Sequence, residues 1–147
     1  MKRLLFHSLW GWQGSLEAAS AYAKQAGFDG LEGNLEHPCF RQWHPEALQN
    51  LLNQQSQQLI IEITTGGGYT PTVGLSAEQH LAELETKLAQ ATAFAPLRIN
   101  LITGDDSWSM EQQHHFLERC LQLTNPMAVA VSLETHRSRS LFNPWAI

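Results

Sequence analysis

The order of apolar runs along the chain predicts an α/β protein built on a parallel sheet. Three observations carry this expectation. Short apolar or β-branched runs alternate with longer stretches of helical periodicity, the connections between them are brief, and turn or capping residues stand at the junctions. The predicted order is β-α-β-α-β-α-β-α-β, which implies right-handed crossovers between parallel strands.

The elements follow in turn. Leu4 to Ser8 is a short apolar run and the first strand. From Ser15, the residues Leu16, Ala19, Tyr22, Ala23 and Ala26 recur at helical spacing, and Gly27 supplies a C-terminal stop. Asp29-Gly30 turns the chain into a second strand, Leu31 to Leu35. Pro45 to Gln55 places Leu48, Leu51 and Leu52 on one helical face, with Pro45 suited to a first turn. Leu59 to Thr65 is β-branched and the clearest strand. It ends in Gly66-Gly67-Gly68, expected to be a flexible active-site loop, since no Gly-Lys-Ser/Thr follows to make a phosphate-binding loop. Ser76 is an N-cap with a glutamine at the third helical position, and Leu81, Leu84, Leu88 and Ala91 form the stripe that follows. Arg98 to Thr103 is the fourth strand. Ser109 to Leu123 is the fourth helix, with Phe116, Leu117, Cys120 and Leu121 inward, and Met127 to Thr135 is the fifth strand.

A length of 147 residues suits one domain with a sizeable core. The net charge of −5 argues against a protein that tracks a nucleic-acid backbone; only Arg137 and Arg139 lie close together near a candidate site. Cys39 and Cys120 stand in no metal-ligand spacing and read as free thiols of a cytoplasmic protein. The N-terminal residues lack the apolar stretch of a signal peptide, and no apolar run approaches the ~20 residues of a membrane span.

Two architectures accommodate this order. One is a five-stranded doubly wound sheet, with its ligand loop after the first strand. The other is a β/α barrel, of which eight units in ~250 residues are usual. Side chains alternate across a strand, so Glu32 shares a face with Asn34, and Glu134 with Ser132 and His136. His7, Glu62 and Asn100 also interrupt apolar strand sequence. A parallel strand covered by helices on both sides should be nearly all apolar. Repeated polar positions therefore favour a barrel whose interior opens onto a polar site.

At the fifth strand the sequence becomes specific. Val-Ser-Leu-Glu-Thr-His-Arg-Ser-Arg-Ser-Leu-Phe-Asn-Pro-Trp, residues 131–145, together with Gly-Phe-Asp-Gly-Leu-Glu at 27–32, resembles the xylose-isomerase-like TIM-barrel superfamily of sugar-phosphate isomerases and epimerases. The resemblance runs through the chain in unit order. It implies a single incomplete barrel domain over 1–147, with about five β/α units and a fifth helix beginning near Trp145.

What the resemblance implies for chemistry is a divalent metal (Mn, Mg, Co or Zn) with Glu134 as one ligand, acting on a sugar or sugar phosphate. The family's remaining ligands, an Asp, a His and a Glu, come from later strands. One carboxylate holds such an ion poorly, so the expected site is incomplete within this sequence. Glu32 is the candidate catalytic carboxylate. His7, Trp10, His136 and Arg137 are candidate substrate contacts, through hydroxyl hydrogen bonds, aromatic stacking or anion binding. Each has a plain alternative: a strand-end carboxylate for Glu134, an interior one for Glu32, core-capping aromatics, a loop histidine, a solvated arginine. Trp12 reads as a core cap, and Asp105 and Asp106 as turn residues.

The competing class is a non-catalytic half-barrel that pairs with a second copy or another chain, because two open sheet edges invite association. A phosphodiesterase of the endonuclease-IV type is disfavoured: strands three and four end in Thr64-Thr65 and Ile102-Thr103, without histidine.

Overall fold

In the computed structural model, residues 3–142 are described. The elements are β1 (Phe6–Ser8), α1 (Leu16–Gln25), β2 (Gly30–Asn34), α2 (Pro45–Gln55), β3 (Gln58–Thr64), α3 (Ala77–Ala93), β4 (Arg98–Ile102), α4 (Met110–Thr124) and β5 (Ala130–Leu133). The Asn143-Pro144-Trp145 end of the motif and the expected start of a fifth helix lie outside the described residues.

All neighbouring strands are parallel, and the sheet order is β1-β2-β3-β4-β5. A doubly wound sheet would place its first strand between two others. Here β1 is an outer strand whose neighbour is β2, so of the two architectures the singly wound β/α arrangement is the one observed. With right-handed crossovers, this sequential order puts every helix on the same side of the sheet.

The two sheet faces differ accordingly. His7, Leu31 and Leu59 fall in one register row and Gly33, Ile61, Ile99 and Val131 in the next, and Leu31, Leu59, Ile61, Ile63, Ile99 and Leu101 are buried. They pack with Leu16, Ala19 and Ala23 of α1, Leu48 and Leu52 of α2, Leu81, Leu84 and Leu88 of α3, and Phe116 and Cys120 of α4. That is the core. The opposite face carries Ser8, Glu32, Asn34, Glu62, Asn100 and Ser132.

Local signals explain the helix ends. Ser15 caps α1 by accepting from the Ala18 N–H at 3.2 Å. Ser76 with Gln79 and Ser109 with Gln112 make reciprocal capping boxes at α3 and α4. In α4 the expected inward stripe narrows, because Leu121 is 50% exposed while Phe116 and Cys120 are buried. Burial alone pushes the Cys120 thiol up to about 12, so it behaves as an apolar core group.

Candidate functional site

The site grows from the polar sheet face. Register places Asn34, Glu62, Asn100 and Ser132 in one row across β2 to β5, with Glu32 one step nearer the strand starts, beside Ser8 and Ile60. Glu134 follows β5, its N–H donating to the Leu101 carbonyl at 2.8 Å. The row lies toward the C-terminal ends of the strands, where β/α folds assemble their sites.

Hydrogen bonds order the side chains. The Ser132 hydroxyl donates to Asn100 Oδ1 at 3.1 Å. This turns the Asn100 amide nitrogen toward Glu134, to whose Oε2 it donates. Tyr69, from the loop after β3, donates its hydroxyl to Glu62 Oε2 at 2.7 Å. His136 comes within 6.1 Å of the Tyr69 ring, centroid to centroid.

Apart from the exposed Arg98 at the start of β4, the strand charges on this face are carboxylates, and their burial is costly. Burial, then Glu62 and Glu134, raise the Glu32 carboxyl above its ordinary range. Burial also raises Glu62, with Glu134 adding to the shift and the Tyr69 hydrogen bond and His136 opposing it. The Tyr69 phenol is pushed up strongly by burial and by its bond to Glu62. A carboxylate raised toward neutral pH beside a hydroxyl is suited to moving protons.

Of the residues singled out in the sequence, Glu32, Glu134 and His136 lie around this face. Trp10 is 75% exposed and borders a cleft of about 290 Å³ with Asn34, Glu36, Thr64 and Tyr69. Two candidates do not join them. His7 registers with Leu31, so period-two alternation turns it to the helix side. There its ring lies 5.4 Å from Trp12, 5.0 Å from Tyr22 and 5.6 Å from Phe28. The expected hydroxyl contact is therefore replaced by aromatic packing, in which Trp12 takes its anticipated structural place. Arg137 is exposed, and its contact with the site is a backbone one: His136 Nδ1 pairs with its carbonyl at 2.8 Å.

Asp105 is a turn residue as read, its Oδ1 accepting from the Ser107 N–H at 2.8 Å. Several hydrogen bonds meet at the Gly66–Gly68 loop. The Gly66 N–H donates to Glu83 at 2.6 Å, Lys87 donates to the Thr64 carbonyl at 2.8 Å, and Arg139 donates to the carbonyls of Gly68 and Tyr69. The carboxyl of Glu83 would be raised by burial. Its bonds from Lys87 and Gly66 outweigh that and hold it below its ordinary value.

Tyr69 is a functional candidate that the sequence did not single out, and Arg139 was noted only for its charge beside Arg137. Glu62 and Asn100 carried a signal, as polar interruptions of β3 and β4.

A larger cleft of about 710 Å³ opens beside Trp12, His37, Cys39 and Trp43. None of the face carboxylates lines it, so volume alone does not locate the chemistry.

The donor set of the described residues on this face does not make a complete metal site. Among the described residues, no group of three or more His, Cys, Asp or Glu side chains is placed to hold an ion. One Glu134 oxygen already accepts from Asn100. The face supplies single carboxylate ligands rather than a finished cage. Among the described residues, no helix is long and apolar enough to cross a membrane. No protein-family model and no curated protein matches the chain.

Proposed function

We propose that the polar sheet face is the reaction surface of a sugar or sugar-phosphate isomerase or epimerase. The observation that carries this reading is the convergence of Glu32, Glu62 and Glu134 on the helix-free face of a sequential parallel sheet, with Tyr69 bonded to Glu62. Isomerisation next to a carbonyl requires a base to remove the proton from the adjacent carbon. The C–H electron pair becomes the enediol double bond as the carbonyl oxygen takes a proton; one of the two enediol oxygens then gives up its proton to become the carbonyl while a proton returns to carbon. In this reading Glu32 exchanges the carbon-bound proton. The Tyr69–Glu62 pair gives and takes the proton at oxygen. Trp10 offers its exposed face to the apolar side of the sugar ring, and His136 faces a hydroxyl.

A divalent metal (Mn, Mg, Co or Zn), when bound, would polarise the carbonyl, with Glu134 as the ligand this chain contributes by its resemblance to the xylose-isomerase-like barrels. The lack of a three-ligand group among the described residues favours a second reading, in which the chain is a non-catalytic half-barrel that pairs with a complementary surface.

Nuclear magnetic resonance separates the two. With Mn²⁺ and a panel of aldoses, ketoses and their phosphates, the reaction-surface reading expects paramagnetic broadening centred on Glu32, Glu62, Asn100 and Glu134, weakened in Glu134→Gln. Broadening scattered over surface carboxylates, with no sugar-dependent shifts at Trp10 or Tyr69, would refute it.

A further inference from the structure

Arg139 is fully buried, at 0% exposure, yet among the described residues it forms no ion pair. Its guanidinium instead donates to four backbone carbonyls: Nε to Tyr69 at 3.3 Å, Nη1 to Thr65 and Gly104 (the latter at 3.1 Å), and Nη2 to Gly68. These carbonyls belong to the loops after β3 and β4, while Arg139 itself belongs to the segment after β5. One cation thus ties together the C-terminal ends of three strands. Burying an unpaired charge is costly: burial lowers its pKa, and the nearby Asp105 and Glu83 offset only part of that. A charge kept there for packing alone would be better replaced by an apolar side chain. Two of the four acceptors flank the peptide that presents Tyr69, whose hydroxyl reaches Glu62 at 2.7 Å.

We propose that Arg139 is a positioning residue: by gripping the carbonyls of Gly68 and Tyr69 it sets the Tyr69 hydroxyl on Glu62 across the polar face. This rests on the reading of that face as the reaction surface. Only a planar fork fits the role, because an ammonium offers three donors from one atom and cannot span the four acceptors. Gly66 and Gly67 adopt positive φ of 64° and 106°, a turn that lets the carbonyls of Thr65, Gly68 and Tyr69 all reach the guanidinium.

The test reads Tyr69 directly and contains no substrate, so its outcome is independent of whether the protein isomerises sugars. The chain has two tyrosines, so a Tyr22→Phe background isolates Tyr69 in an ultraviolet titration at 295 nm. With Arg139 present, phenolate absorbance is expected only where the fold is lost. In Arg139→Lys it is expected to rise near the ordinary tyrosine value of about 10 while far-ultraviolet circular dichroism remains native. A lowered melting temperature with Tyr69 titrating as in the parent would make Arg139 merely structural and overturn the proposal. Should Arg139→Lys not fold, nitrogen-15 spectra of the unsubstituted chain decide. One arginine Nε–H strongly protected from solvent exchange is expected, and solvent-rate exchange at every arginine Nε–H would overturn the grip.

Discussion

The segment after β5 is seated on the end of β4 through Gly104, and a single methyl group there has a calculable effect. Gly104 has φ of +78°, and a Cβ at that position would land on the Ser140 hydroxyl, with Ser140 Cβ at 2.7 Å and Phe116 Cε1 at 3.2 Å. Ser140 is buried and cannot swing into solvent. Gly104→Ala therefore adds two costs. Left-handed backbone at a residue other than glycine costs about 1–3 kcal/mol. Overpacking a filled site costs a further ~1–3 kcal/mol. A total of about 4 kcal/mol is expected, a large part of the ~5–15 kcal/mol that holds a domain folded. At ~2–4 °C per kcal/mol for a domain of this size, the melting temperature should fall by roughly 10 °C. Ser140→Gly removes the clash but leaves the backbone cost. In a double-mutant cycle by urea denaturation, it should return about 1–3 kcal/mol to Gly104→Ala. A Gly104→Ala protein within about 0.5 kcal/mol of the parent, the range of an ordinary surface change, or a cycle with no coupling would show that the segment does not rest on β4 as described.

Three further outcomes follow from the same geometry. The Glu32 carboxyl is raised by burial and by Glu62 and Glu134, so its ionisation opposes folding at neutral pH. Metal-free Glu32→Gln should be more stable than the parent at pH 7. The gain should shrink as pH falls through the raised pKa and vanish near pH 4, where Glu32 of the unfolded chain is protonated too; thermal melts across that range that show a pH-independent difference would contradict this. Gln57 and Ser20 form a buried pair, with Ser20 Oγ donating to Gln57 Oε1 at 2.6 Å and Gln57 Nε2 donating to the Ser20 carbonyl at 3.0 Å. Gln57→Ala leaves Ser20 without that partner and should cost about 1–3 kcal/mol in chemical denaturation, whereas a neutral substitution would mean that the pair is not formed. Among the described residues β1 and β5 each have a single strand neighbour, and β5 is only half-buried. Light scattering should show mass rising with concentration, and a clean monomer at micromolar concentration would count against pairing through these edges.

The strand and helix order was legible because each β/α unit carries its own period and caps: Pro45 at the start of α2 and the Ser76–Gln79 box at α3 fall where the residues indicate. Strand faces were also legible in part. Alternation placed Glu32 with Asn34 and marked Glu62 and Asn100 as breaks in apolar runs. His7 was misplaced because a strand of three residues, Phe6–Ser8, gives too little alternation to tell its faces apart; its register with Leu31 settles the matter. Tyr69 and Arg139 were illegible for a different reason. Each sits in a loop without periodicity, and they meet across 70 positions of sequence. Nothing local distinguishes Arg139, fully buried, from Arg137, two residues earlier and exposed. Leu121 shows the converse, an apolar residue at helical spacing that falls just past the covered stripe of α4.

In the proposed reaction, carboxylates on the open sheet face move protons at carbon beside a sugar carbonyl. The most direct measurement is deuterium incorporation from D₂O into aldoses, ketoses and their phosphates, followed by proton nuclear magnetic resonance with Mn²⁺, Mg²⁺, Co²⁺ or Zn²⁺ present. The account predicts solvent deuterium at the carbon next to the carbonyl, and its loss in both Glu32→Gln and Glu62→Gln while each variant stays folded. No incorporation with any sugar in the panel, or incorporation that survives both substitutions, would contradict it.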